Sequence, residues 1–83
     1  MNDPAKLAIF VREALAKRTH LRLTEIQLFG AVADLAPDKL TVDEFRDAVE
    51  WNQSRNYIDR AFDDDRRLDT WALTKKGKVK QGL

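Results

Sequence analysis

The sequence predicts a mainly α domain with a small β wing towards its C-terminal end. Three observations predict it. Thr24–Gln27 and Thr41–Glu44 each have the Thr-x-x-Gln/Glu spacing of a capping box, and each opens an apolar run of helical period. Asp3-Pro4 opens a third such run, because Asp caps a helix and Pro suits its first position. From residue 64 the pattern changes to a short alternating stretch flanked by basic residues. At 83 residues the chain has room for one core, so residues 1–83 form one domain.

The first helix falls within residues 1–20. Leu7, Phe10, Val11, Ala14 and Leu15 recur at helical spacing, and Lys17-Arg18 suit the negative end of the helix dipole. Ile9 lies off this stripe and widens the apolar face, which fits either an ordinary core helix or contact with a second copy of the chain. Leu21 and Leu23 flank Arg22 and allow a very short strand. The second helix, 24–36, carries Ile26, Phe29, Val32, Ala33, Leu35 and Ala36 on its buried stripe. Gly30 in mid-helix is costly unless a neighbouring helix approaches closely. Pro37-Asp38 makes a turn.

Residues 41–63 are read as a helix-turn-helix. Val42, Phe45, Ala48 and Val49 give the first helix its apolar face. Glu50–Ser54 contains weaker helix formers and the cap residues Asn52 and Ser54. A following helix turns Tyr57, Ile58, Ala61 and Phe62 inward and shows Gln53, Arg55, Asn56, Asp59 and Arg60 outward. No Gly or Pro interrupts the stretch, so one continuous helix from Val42 to Asp63 is the rival reading. Asp63-Asp64-Asp65 ends the helix, since acidic charge is unfavourable there. Residues 64–80 form the wing and a basic tail. Trp71 and Leu73 share one strand face, and a final helical turn follows Thr74.

Composition excludes several classes. The absence of Cys removes disulfides and thiolate metal sites and fits a reducing, cytoplasmic setting. No apolar run approaches the roughly 18 residues of a membrane span. The net charge of +1 hides a strong asymmetry. Residues 41–65 hold three basic and eight acidic side chains, whereas 66–83 hold six basic and one acidic. Phosphate attraction depends on local charge, so the tail is the candidate nucleic-acid surface. His20 has no triad partner at a recognisable spacing, and three scattered glycines form no phosphate loop, so the chain is read as a non-enzyme without cofactor or metal. Asp63-Asp64-Asp65 lacks the ligand spacing of a calcium loop. Trp51 and Trp71 are assigned to the core, Trp51 being the more exposed.

The order of these elements, from the Leu40-Thr41-Val42-Asp43-Glu44-Phe45 opening through Asp65-Arg66-Arg67 to Leu73-Thr74-Lys75-Lys76-Gly77, resembles the winged helix-turn-helix of the multiple-antibiotic-resistance-regulator (MarR) family. Leu23-Thr24-x-x-Gln27 resembles the start of the helix preceding that motif. The chain departs from the family in carrying Glu50 where the turn commonly has Gly, in the short segment from Phe62 to Arg66, and in lacking the C-terminal dimerisation helices. The resemblance implies a small DNA-binding transcriptional regulator, of phage or mobile-element type, acting on double-stranded DNA. Its second motif helix, residues 52–60, would read the major groove through Gln53, Ser54, Arg55, Asn56 and Arg60. Arg66 and Arg67 would touch the minor groove or backbone, and Lys75, Lys76 and Lys78 would add phosphate contacts. The alternative is a protein-interaction module on the same scaffold, using the acidic 41–65 segment and an apolar anchor among Ile9, Phe10 and Trp51. A homodimer through the N-terminal helix is compatible with either.

Overall fold

Local capping accounts for where the helices begin. In the computed structural model, which describes residues 1–83, Asp3 accepts the Ala5 N–H and opens α1 (Pro4–Ala16). Thr24 belongs to β1 (Leu23–Thr24) and is also the N-cap of α2 (Glu25–Leu35), where both halves of the capping box are formed. Thr41 and Glu44 form the second capping box and open α3 (Val42–Ser54). The chain then forms β2 (Ile58–Asp63), β3 (Leu68–Leu73) and a short α4 (Lys75–Lys80). The fold is therefore a set of helices with a small antiparallel sheet, in the order β1-β3-β2.

The stretch 41–63 differs from both expectations. It is neither two helices nor one continuous helix. Residues 50–54, expected as a turn, continue α3, and the chain stops being helical at Asn56. Asn56 adopts a left-handed φ of 63°. The Tyr57 N–H donates to the Asn52 carbonyl and the Asn56 N–H to the Gln53 carbonyl. These are the two hydrogen bonds of a Schellman stop, and Asn tolerates the required left-handed position. The residues assigned to a DNA-reading helix, 52–60, are thus split among the end of α3, a turn and β2. The β structure expected from residue 64 begins at Ile58, so the strand that Phe62–Arg66 is too short to supply lies upstream.

The acidic run Asp63–Asp65 also has a different role. It does not terminate a helix but begins the β2–β3 turn. The Asp63 carboxylate accepts the Asp65 and Arg66 N–H groups and the Arg66 Nε at 2.7 Å. These hydrogen bonds, led by that of the Arg66 side chain, hold Asp63 below its ordinary carboxylate pKa.

The core lies between the helices and one face of the sheet. Leu7, Val11 and Leu15 of α1 meet Leu28 and Val32 of α2, Phe45 and Val49 of α3, and Ile58, Trp71 and Leu73 of the hairpin. Pairing of Ile58 with Leu73, and of Trp71 with Leu23, lays these strand residues together. On the other face Arg22 donates to Thr70 Oγ1 and to the Asp59 carboxylate, tying all three strands.

Four apolar expectations are corrected. Ile26 is 83% exposed, and Leu28 takes its place. Thr24 is at once strand residue and helix cap, so the β1–β3 pairing fixes the rotation of α2 and turns Ile26 outward. Val42 is exposed in the first turn of α3, and Phe62 lies exposed on β2 with Ala61. Gly30 has open space around its Cβ position, so close approach of a helix does not explain it. Gly77 does sit at such an approach: a Cβ there would lie 1.9 Å from the Tyr57 carbonyl oxygen.

Candidate functional site

α3 presents two different surfaces. Its buried side carries Phe45, Ala48, Val49 and Asn52. Its outward strip carries Asp43, Arg46, Asp47 and Glu50, followed by Gln53 and Ser54. One cation thus stands among three exposed carboxylates over the first two and a half turns. Glu44 is partly enclosed, because it accepts from Thr41 and from the backbone and side-chain amides of Asn2. These bonds, led by the Thr41 N–H, hold its carboxyl below the ordinary range and keep it ionised.

The hairpin has little free positive charge. Arg60 on β2 lies 3.9 Å from Asp69 on the adjacent strand. Arg66 is tied to Asp63, and Arg22 to Asp59. Arg67 is exposed in the turn at a φ of 56° and has no ion-pair partner. It stands at the far end of the hairpin from α4, a separation of about 17–20 Å for a six-residue strand.

A second group of cations gathers at the C-terminal end of α3. Trp51 and Tyr57 have ring centroids 6.0 Å apart. The Arg55 guanidinium lies 4.4 Å from the Trp51 ring. Arg12, Lys76 and Lys80 lie 5.1, 5.2 and 6.0 Å from the Tyr57 ring. Each contact is of cation–aromatic type, which is stronger where the cation is partly desolvated. The anchor is Arg12. Its Nη1 donates to Asn52 Oδ1 at 2.9 Å and its Nε to Gln81 Oε1 at 2.8 Å. Asn52, fully buried, donates in turn to the carbonyls of Ala8 and Ala48. Burial lowers the Arg12 pKa, and nearby Tyr57 and Glu13 oppose that shift.

Of the expected DNA contacts, then, only Arg55 and Lys76 share a patch. Gln53 and Ser54 end α3, and Asn56 forms its stop. Arg60 and Arg66 are paired within the hairpin, Arg67 lies at its tip, and Lys75 and Lys78 are exposed on α4. The sequence reading missed Arg12 and Asn52 as partners. The available signal was a charged residue at position 12, one turn after Ala8 and inside the buried stripe of α1.

Between α1 and α3 runs a groove of about 630 Å³. Pro4, Ala5, Ala8, Ile9, Ala48 and Trp51 line it, with Glu44 and Asp47 towards one end and Arg12 and Lys80 towards the other. No group of three His, Cys, Asp or Glu side chains converges to hold a metal ion, and no helix is long and apolar enough to cross a membrane. Comparison of the chain with protein-family models, curated proteins and solved structures returns no match.

Proposed function

We propose that this chain is a non-enzymatic protein-interaction module on a winged-helix scaffold, and that the outward face of α3 docks a basic protein surface. In this reading α2 and α3 are the helix-turn-helix, α3 is the helix that a DNA-binding relative would insert into the major groove, and β2–β3 is the wing. The assignment moves the motif one helix upstream of the 41–63 expected from the sequence. The order α1-β1-α2-α3-β2-β3 supports it, as does the sequence resemblance to the MarR family. The observation that carries the function is the acidic strip Asp43, Asp47 and Glu50 on α3. A helix in the major groove has phosphates on both walls. Carboxylates on its leading face meet that charge within the roughly 8 Å over which physiological salt leaves it unscreened. The same strip attracts Lys- or Arg-rich protein surfaces and steers their encounter.

A second reading, duplex DNA binding by a small cytoplasmic regulator, is favoured by the cluster of Arg55, Lys76 and Lys80 around Trp51 and Tyr57. Such a cluster would grip phosphate without reading sequence.

Fluorescence anisotropy at two salt concentrations separates the readings, with an Arg-rich peptide and a random DNA duplex as probes. The peptide is expected to bind and to lose about tenfold or more of its affinity on Asp43→Lys with Glu50→Lys. Tight duplex binding that is lost on Arg55→Glu with Lys76→Glu, alongside peptide binding indifferent to the α3 reversals, would overturn the protein-interaction reading.

A further inference from the structure

The α1–α3 groove adjoins the outward strip of α3 and shares Asp47 with it, and its charges are arranged end to end. α1 and α3 run in the same direction. Asn2 bonds Glu44 near their N-termini, and the Ala8 carbonyl meets Asn52 further along. Glu44 and Asp47 therefore sit at the N-terminal end of the groove. Arg12 and Lys80 sit at the other end, beside Trp51, which is two turns or about 10 Å beyond Glu44 along α3. Ile9 lies between the two ends and Trp51 borders the basic one, each 41% exposed. Two large apolar side chains left open beside a lined groove form the kind of patch that associates.

We propose that the occupant of this groove is a second copy of the chain, related by a two-fold axis through the groove's centre. A two-fold interface must complement itself, so a residue at one end meets the residue at the other end of its partner. An apolar strip with the exposed Asp47 towards one end and the exposed Lys80 at the other has this property, while Arg12 and Glu44 are already bonded within the chain. Rotation by half a turn lays Asp47 against Lys80 of the second copy and repeats the pair at the opposite end. Ile9 and Trp51 then cover one another's exposed surface. A uniformly acidic or basic rim would repel its own copy; here the Met1 ammonium at the carboxylate end is tied to Asp38, which leaves Asp47 as the exposed acid there. The strip Asp43, Arg46 and Glu50 points away from the groove and stays open in the dimer.

Sedimentation equilibrium of the full chain over a range of concentrations tests the proposal. The expected result is a monomer–dimer equilibrium whose upper limit is twice the chain mass. Asp47→Lys or Lys80→Glu alone weakens the dimer about tenfold, because each reversal spoils two symmetry-related pairs. The double reversal restores it to within about threefold of the native chain. Ile9→Asp abolishes the dimer while its thermal melt stays cooperative. A chain that is monomeric at all concentrations overturns the proposal and leaves the groove to a different protein. A dimer unmoved by Ile9→Asp and by both reversals overturns it as well, by assigning the contact to another surface.

Discussion

At the scale of single residues, the most consequential side chain is Asn52. Its amide is fully buried and uses its oxygen and both donor positions: Arg12 donates to it, and it donates to Ala8 on α1 and Ala48 on α3. A buried guanidinium without a carboxylate partner is tolerable only if its donors are met. Asn52 and Gln81 meet two of them, and the rings of Tyr57 and Trp51 flank the cation at 5.1 and 6.0 Å. Asn52→Ala leaves the Arg12 Nη1 without its acceptor and opens a small void. Urea unfolding is expected to show a loss of about 2–4 kcal/mol with little change in the denaturant slope. A loss below about 0.5 kcal/mol would mean that the network contributes nothing net. None of this was legible beforehand, because Asn52 was assigned to a turn and then to a DNA-reading helix. Residue type suggested a cap, and only the path of α3 shows that position 52 faces α1.

At the scale of elements, helix starts were legible and one helix end was not. Asp3, Thr24 and Thr41 begin their helices where the capping phrases predict. Such phrases are local: the residues that signal the start also form the hydrogen bonds. The stop at Asn56 depends on one left-handed residue, and the apolar spacing of Tyr57, Ile58, Ala61 and Phe62 fits a helix as readily as a strand. Pairing with β3 decides the matter, and pairing is non-local. The Thr41 cap also gives α3 a pH dependence with a definite sign. Glu44 has a lower pKa in the folded chain than in the unfolded one. Its contribution is therefore present above the ordinary glutamate value of about 4.3 and is lost as pH falls through the lower folded value. Asp63 in the hairpin turn acts in the same direction. Thermal melts from neutral pH down to about pH 3 are expected to show a falling Tm that flattens in part in Glu44→Gln. Gln preserves the capping geometry but does not titrate. An unchanged pH slope in Glu44→Gln with Asp63→Asn would assign acid sensitivity to other carboxylates.

At the scale of the whole molecule, charge is sorted by face, which a linear count could locate only in part. The acidic excess of residues 41–65 is divided between α3, which carries Asp43, Asp47 and Glu50 on its outward side, and β2 with its turn, which carry Asp59 and Asp63–Asp65. The basic excess of 66–83 does not become one surface, because the turn holding Arg66 and Arg67 and the helix holding Lys75–Lys80 lie at opposite ends of the same hairpin. α4 joins the rest of the molecule through few points. Gly77 packs on the Tyr57 carbonyl, Thr74 Oγ1 donates to the Asn56 carbonyl, and Gln81 accepts from Arg12. The core itself is drawn from α1 through β3, with Leu40 between α2 and α3 included. α4 should therefore separate from the core without unfolding it. Gly77→Ala tests this, since its Cβ cannot share space with a backbone oxygen 1.9 Å away and the helix must lift off the hairpin. Hydrogen exchange is expected to show protection lost over residues 74–81 while the amides of α1, α3 and β3 keep theirs. Trp51 emission should respond as Lys80 and Gln81 leave its neighbourhood and Arg12 loses an acceptor. Loss of protection throughout the chain would instead make α4 part of one cooperative unit. Retained protection over residues 74–81 would mean that the hairpin yields around the new methyl group.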